Sequence, residues 1–211
     1  MPQINELRKQ ISRGLSPCFA DLGLDRVSDD VVWSPSPGLI RIVQISFLDS
    51  HHASYFGSST ASFSIEFGGL YGPVNLFEAQ RDFPRVHYCQ VRGKLHRDFR
   101  QDAPKKDLPP AEHRRRDIWW VRASGEDLNA AIEGAGRVIT SNLEFWLSRL
   151  SDHAYVCRYL FWKDENERGL FGFGRRGSPS RIQLLELLTA TFPEKRLLRW
   201  RLLLPSWLTG R

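Results

Sequence analysis

Between Leu128 and Leu150 the apolar residues Leu128, Ile132, Ala135, Ile139, Leu143, Trp146 and Leu150 follow one another at intervals of four, three, four, four, three and four. This is the period of a helix with one apolar stripe, and such a stripe must be buried against another element. Ser124-Gly125-Glu126-Asp127, just before it, reads as a capping box with a carboxylate in the first turn. The pattern predicts a long helix that closes over a sheet.

The strands for that sheet precede it. Leu39–Phe47 is rich in β-branched residues, and Val31–Trp33 can pair with it across the turn Ser34-Pro35-Ser36-Pro37-Gly38. Ser58–Phe67 alternates strictly, with Ala61, Phe63, Ile65 and Phe67 on one face, and Gly68-Gly69 should close it. His87–Leu95 alternates again and places His87, Cys89, Val91 and Leu95 together. Ile118-Trp119-Trp120-Val121 resumes a compact strand after the polar, proline-bearing stretch 96–117. A short segment, Asn75–Asp82, and a polar His51-His52 loop lie between strands.

An opening helix is read from Ile4, Leu7, Ile11, Leu15, Phe19 and Leu22, with a kink or break near Leu15–Ser16 because Pro17 lacks a backbone donor, and with a stop at Gly23. Beyond Ser151 the signals are helical: Tyr155–Trp162 fits a buried helix or a strand, and Ile182, Leu185, Leu188 and Phe192 mark another helix. Helix, successive strands, then helices predict an α+β domain over 1–151. Its mainly antiparallel sheet packs on an N-terminal and a central helix, and 152–211 form a helical C-terminal extension on the same domain.

Composition bounds the rest. The 211 residues suit one domain, and 41% hydrophobic content with seven Trp and thirteen Phe excludes global disorder. No apolar run approaches the roughly 18–20 residues of a membrane span. Met1–Glu6 has no basic segment leading into an apolar run, so a cytoplasmic location is expected. Cys18, Cys89 and Cys157 suit reduced thiols.

The formal charge of +6 is distributed in blocks. Residues 81–122 hold twelve basic and six acidic side chains, and 168–211 hold nine and two, whereas 1–80 and 123–167 are net acidic. If the two basic blocks share a face, they form an anion-attracting surface.

Pro84-x4-Cys89-x-x-Arg92, the basic loop, Asp117-Ile118-Trp119-Trp120 and the capped helix form a recognisable series, joined near the start by Leu15-x-Pro17 before Leu22-Gly23-Leu24 and by Val43-Gln44. Over roughly residues 3–151 the chain resembles an uncharacterised bacterial family known as a domain of unknown function. Leu24 stands where that family more usually has an aromatic residue. The resemblance implies a fold and a bacterial origin but no reaction.

For the Cys-x-x-Arg and Asp-x-Trp-Trp segments two readings stand side by side. In one, Cys89 and one Trp point into the core and Arg92 pairs with Asp117. In the other, Arg92 and an outward Trp line a concave face that binds an anionic or planar group. Gly172-Phe173-Gly174-Arg175-Arg176-Gly177 spells G-x-G-x-x-G but lacks the βαβ context of a dinucleotide site, and reads as a linker whose Arg175 and Arg176 can meet a phosphate. His87-x-Cys89 and His153-x3-Cys157 match no strong zinc signature, and a Cys89–His87 nucleophile pair would face the core. No catalytic residue, metal or cofactor is expected.

The expected function is a non-catalytic interaction protein that binds an acidic macromolecular partner through Arg92, Lys94, Arg97, Lys105, Lys106, Arg114, Arg115, Arg116, Trp119 and Trp120, with Arg175 and Arg176 contributing. An immunity or defence-accessory role fits small size and charged faces. The alternative is sequence-nonspecific nucleic-acid binding by the same cations and aromatics, and the third reading is a small-molecule enzyme. The tail Arg199–Trp207 is a further candidate for docking on a partner or an anionic membrane surface.

Overall fold

The computed structural model describes residues 4–28, 30–36, 38–71, 84–89, 91–97 and 115–152. Asn75–Asp82, Lys105, Lys106, Arg114, Arg175, Arg176 and the expected elements after residue 152 lie outside the described residues.

Helix α1, Ile4–Ala20, buries Leu7, Ile11, Leu15 and Phe19. It continues through Pro17 to Ala20 and does not break near Leu15. A proline this close to the end removes one hydrogen bond, while Leu15 and Phe19 hold the last turn in the core. Gly23, at φ +70°, ends the helix: its N–H donates to the Ala20 carbonyl at 2.9 Å, and the Leu24 N–H donates to that of Phe19 at 3.2 Å. Leu24 and Phe19 are both buried beside this left-handed cap.

Five strands follow: β1 Arg26–Ser28, β2 Val31–Ser36, β3 Leu39–Phe47, β4 Phe63–Tyr71 and β5 Val91–Lys94. They form one antiparallel sheet in chain order. The α+β class and the β2–β3 pairing are as the sequence predicts.

Between β3 and β4 the expected His51-His52 loop is a helix, α2, Ser50–Phe56. Asp49 caps it by accepting the His52 N–H at 2.8 Å, and Gly57, at φ +67°, ends it. Strand β4 begins at Phe63, later than the alternation from Ser58 predicts, and passes through Gly68-Gly69 to Tyr71. The glycines are interior positions here, and Gly68 is required by close packing: a Cβ there would lie 2.6 Å from Cys89 Sγ.

The side of the sheet that carries Val32, Val43, Ile45, Phe63, Ile65, Phe67, Tyr71, Val91 and Leu95 packs against α1 and the central helix to form the main core. The far side carries a smaller cluster: Val31, Ile40, Ile42, Leu70, Val86 and Cys89, flanked by Trp33. The predicted strand His87–Leu95 is divided between these regions. A 3-10 turn at Val86–Tyr88 precedes β5, which leaves His87 exposed, Cys89 in the far-side cluster, and Val91 and Leu95 in the main core. The tight turn breaks the two-residue period on which the prediction rested.

The central helix comprises α3, Leu128–Val138, a π-helical turn, Ile139–Leu143, and α4, Glu144–Leu150. Ala131, Ala135, Ile139, Leu143 and Leu147 are all buried at steps of four. Each such step overshoots a 3.6-residue turn by about 40°, so a regular α-helix would rotate the series off the sheet. The wider turn takes that rotation back. Gly14 lets α1 approach this helix closely, since a Cβ there would sit 2.9 Å from Ile132 Cγ2. The expected capping box is a turn: Gly125 has φ +74°, and the Asp127 carboxylate accepts from the Arg122 N–H at 2.8 Å without capping α3.

Candidate functional site

Most of the described residues in the expected binding set lie on one edge of β4. There β5 pairs with Glu66–Gly69, and Leu95 N–H extends the ladder to the Ile65 carbonyl at 2.9 Å. Farther along the same edge Trp119 forms a bridge with Phe63, exchanging hydrogen bonds of 2.8 and 3.0 Å. The Cys-x-x-Arg and Asp-x-Trp-Trp segments are therefore collinear neighbours of β4, not a pair of adjacent strands.

The predicted strand Ile118–Val121 reduces to this single bridge, because serine hydroxyls replace the next ladder bonds. The Val121 N–H donates to Ser62 Oγ at 2.9 Å, and Ser59 Oγ donates to the Val121 carbonyl. Ser59 and Ser62 are buried, and their hydroxyls satisfy backbone groups that would otherwise be stranded.

Both tryptophans are interior, which corrects the expectation of an accessible one. Successive residues across a bridge point to opposite sides of the sheet, and both sides are covered here. Trp119 is 2% exposed and stacks on Phe63 at a centroid distance of 5.7 Å. Trp120 is 7% exposed and meets Phe56 of α2 edge-on at 5.6 Å.

The cations form an ordered set. Lys94 Nζ lies 2.8 Å from Glu66 and 3.7 Å from Asp117. Arg115 binds the Asp117 carboxylate with both Nε and Nη2, at 2.8 and 2.9 Å, and its guanidinium lies over the Phe56 ring at 5.6 Å. Asp117 thus pairs with Lys94 and Arg115, whereas Arg92, its expected partner, donates to the His87 carbonyl at 3.3 Å. Burial alone would raise the Asp117 carboxyl pKa, but the Arg115 hydrogen bonds and the two nearby cations hold it below the ordinary aspartate value. The same hydrogen bonds raise the Arg115 guanidinium. Beside them the His96 imidazole is lowered, first by burial and then by Arg116 and Lys94, against an opposing pull from Asp117.

A second polar group continues along the far side of the sheet. Arg85 meets Asp30 at 3.2 Å, Gln44 Nε2 reaches the same carboxylate at 3.5 Å, and the Val86 N–H donates to Gln44 Oε1 at 3.3 Å. Gln44 is opposite Glu66, and Glu66 is opposite Lys94, so one polar row crosses three strands. The sequence reading did not select Asp30, Gln44 or Glu66, although the two-residue period of β3, β4 and β5 carries that signal.

Arg97 closes the edge. Its N–H donates to the Arg116 carbonyl at 2.7 Å, and its Nη2 donates to the Arg115 carbonyl at 3.0 Å. These bonds bring Arg97 and the 115–116 backbone together at one point of the sheet.

Cys89 and His87 do not form a nucleophile pair. Burial pushes the Cys89 thiol pKa far up, and His87 lies exposed and outside its cluster, so the two do not share the core-facing side expected from the sequence. Among the described residues no three His, Cys, Asp or Glu side chains are grouped to hold a metal ion, and no helix is long and apolar enough to cross a membrane. Comparison of the chain with protein-family models, curated proteins and solved structures finds no match.

Proposed function

We propose that the protein acts by binding, without catalysis, and that the β5 edge receives an acidic protein partner. The observation that carries this reading is the closure of Arg97 on Arg115 and Arg116, beside the strand that bears Arg92 and Lys94. Within 81–122 twelve basic side chains stand against six acidic ones; residues 98–114 hold four of each, so the excess falls on the residues that flank them in sequence, Arg92, Lys94, Arg97, Arg115 and Arg116 among them. Glu66 and Asp117 neutralise Lys94 and part of Arg115 and fix their positions. Arg116 is exposed on the same turn.

Burial of both indoles favours a protein over a nucleic acid, because base stacking needs an accessible aromatic face. An immunity or defence-accessory role is in keeping with a charged recognition edge on a stable scaffold.

Affinity capture with the full-length chain and with the Arg92→Glu/Arg116→Glu variant tests the proposal, alongside mobility shifts on random-sequence DNA and RNA. The expected result is one stoichiometric acidic protein, held in a salt-sensitive manner by the unmodified chain and lost by the variant. A nucleic-acid shift abolished by the same variant would transfer the edge to nucleic-acid binding, and identical capture by both chains would remove it as the site.

A further inference from the structure

On the helix-facing side of the sheet one row differs from its neighbours. Ser34 stands opposite Arg41, and Arg41 opposite Gly69, so a hydroxyl, a guanidinium and a bare backbone cross β2, β3 and β4 in line. The row on one side runs through Val32, Val43 and Phe67, and that on the other through Leu39 and Tyr71, all buried. A guanidinium here costs desolvation that an aliphatic residue would not.

Arg97 also encloses an unpartnered Nε, but its Nη2 donates to the Arg115 carbonyl, and several other cations of the described structure have close partners. Arg8 donates to the Thr60 carbonyl at 2.8 and 3.0 Å and lies over Phe47, Arg85 meets Asp30, Lys94 meets Glu66, Arg115 meets Asp117, and Arg149 meets Asp152. Arg41 is half-buried, its Nε is fully enclosed without any hydrogen-bond partner, and its Nη2 reaches Ser34 Oγ at 3.5 Å. No carboxylate pairs with it among the described residues. A guanidinium offers five donors in a rigid fork that matches a carboxylate or phosphate, and Ser34 adds a hydroxyl able to donate beside it.

We propose that Arg41 and Ser34 form a receptor for an oxyanion group, the carboxylate or phosphate of a small anion, on the helix-facing side of the sheet. This site is on the opposite side from the Glu66–Lys94 row and does not depend on the partner assigned to the β5 edge. Filling it supplies a countercharge that the described residues do not provide, so occupancy stabilises the folded chain by linkage.

The test is thermal unfolding of the full-length protein in inorganic phosphate, in acetate and in chloride at matched ionic strength. At least one oxyanion should raise the Tm above the chloride value in a saturable manner, and which of the two does so identifies the group. Arg41→Gln and Ser34→Ala should remove or diminish the saturable rise, while a rise shared with Arg41→Gln is a general salt effect. In chloride, Arg41→Leu should unfold at a higher temperature than the parent. Equal Tm values in all three salts, a saturable rise retained by Arg41→Gln, or a lower Tm for Arg41→Leu in chloride would each overturn the proposal.

Discussion

Cys89 rests on the bare backbone of Gly68: a methyl group at position 68 would stand 2.6 Å from Cys89 Sγ and 2.7 Å from its Cβ. Gly68→Ala should therefore destabilise the protein by about 2–3 kcal/mol, within the range of overpacked cores. The Val91 carbonyl, 2.9 Å away, also resists the added methyl, so Cys89→Ala should restore part of the loss. Urea denaturation of the two single variants and the double variant measures this coupling, and strictly additive losses would contradict it.

Asp117 links Lys94 and Arg115, so its removal should be felt only where it is charged. Its folded pKa lies below the unfolded value, so its contribution is present above the ordinary aspartate pKa of 3.8 and is lost as pH falls through the lowered folded value. Asp117→Asn should cost about 1–2 kcal/mol at pH 7 and progressively less in acid below that ordinary value. Chemical denaturation at a series of pH values is the measurement, and a pH-independent difference would assign the effect to shape instead of charge.

Ser62 donates order to the edge through a single oxygen that accepts the Val121 N–H. Ser62→Ala leaves that buried donor without its partner and should cost about 1–3 kcal/mol. Ser148→Ala, at an exposed position, should lie within about 0.5 kcal/mol of the parent. Hydrogen exchange of Val121 should accelerate only in the first variant.

Trp119 stacks on Phe63 with its Nε1 unpartnered, so its indole nitrogen contributes no hydrogen bond. Trp119→Ala should cost about 3–5 kcal/mol through lost packing, whereas Trp119→Phe should cost clearly less. Equal losses in thermal or urea unfolding would show that the nitrogen has a role the packing does not reveal.

The π-helical turn holds one residue more than an α-helix needs. Deleting exposed Asn142 shortens the Ile139–Leu143 step to three and restores an ordinary helical period. That deletion should cost under about 1 kcal/mol, while deleting exposed Ala130 rotates every later core residue by about 100° and should prevent folding. Circular dichroism and urea unfolding of the two deletions compare them directly.

These features differ in how plainly the sequence displays them. The helical stripe from Leu128 and the alternation of Phe63, Ile65 and Phe67 are periodic within one segment, so the helix, the strand and the α+β class are legible. Helix α2 is seven residues long and was obscured by His51 and His52, although Asp49 and Gly57 bracket it with a cap and a stop. The positions of Trp119 and Trp120 depend on what covers each side of the sheet, which no local spacing states. Likewise, Asp117 selects Lys94 and Arg115 over Arg92 because β5 and the 115–121 segment are aligned end to end along β4.

That alignment separates the scaffold from what it carries. Since the outermost column of the sheet is assembled from two pieces whose junction is sealed by Arg97 and Arg116, each piece takes its register from β4 and not from the other.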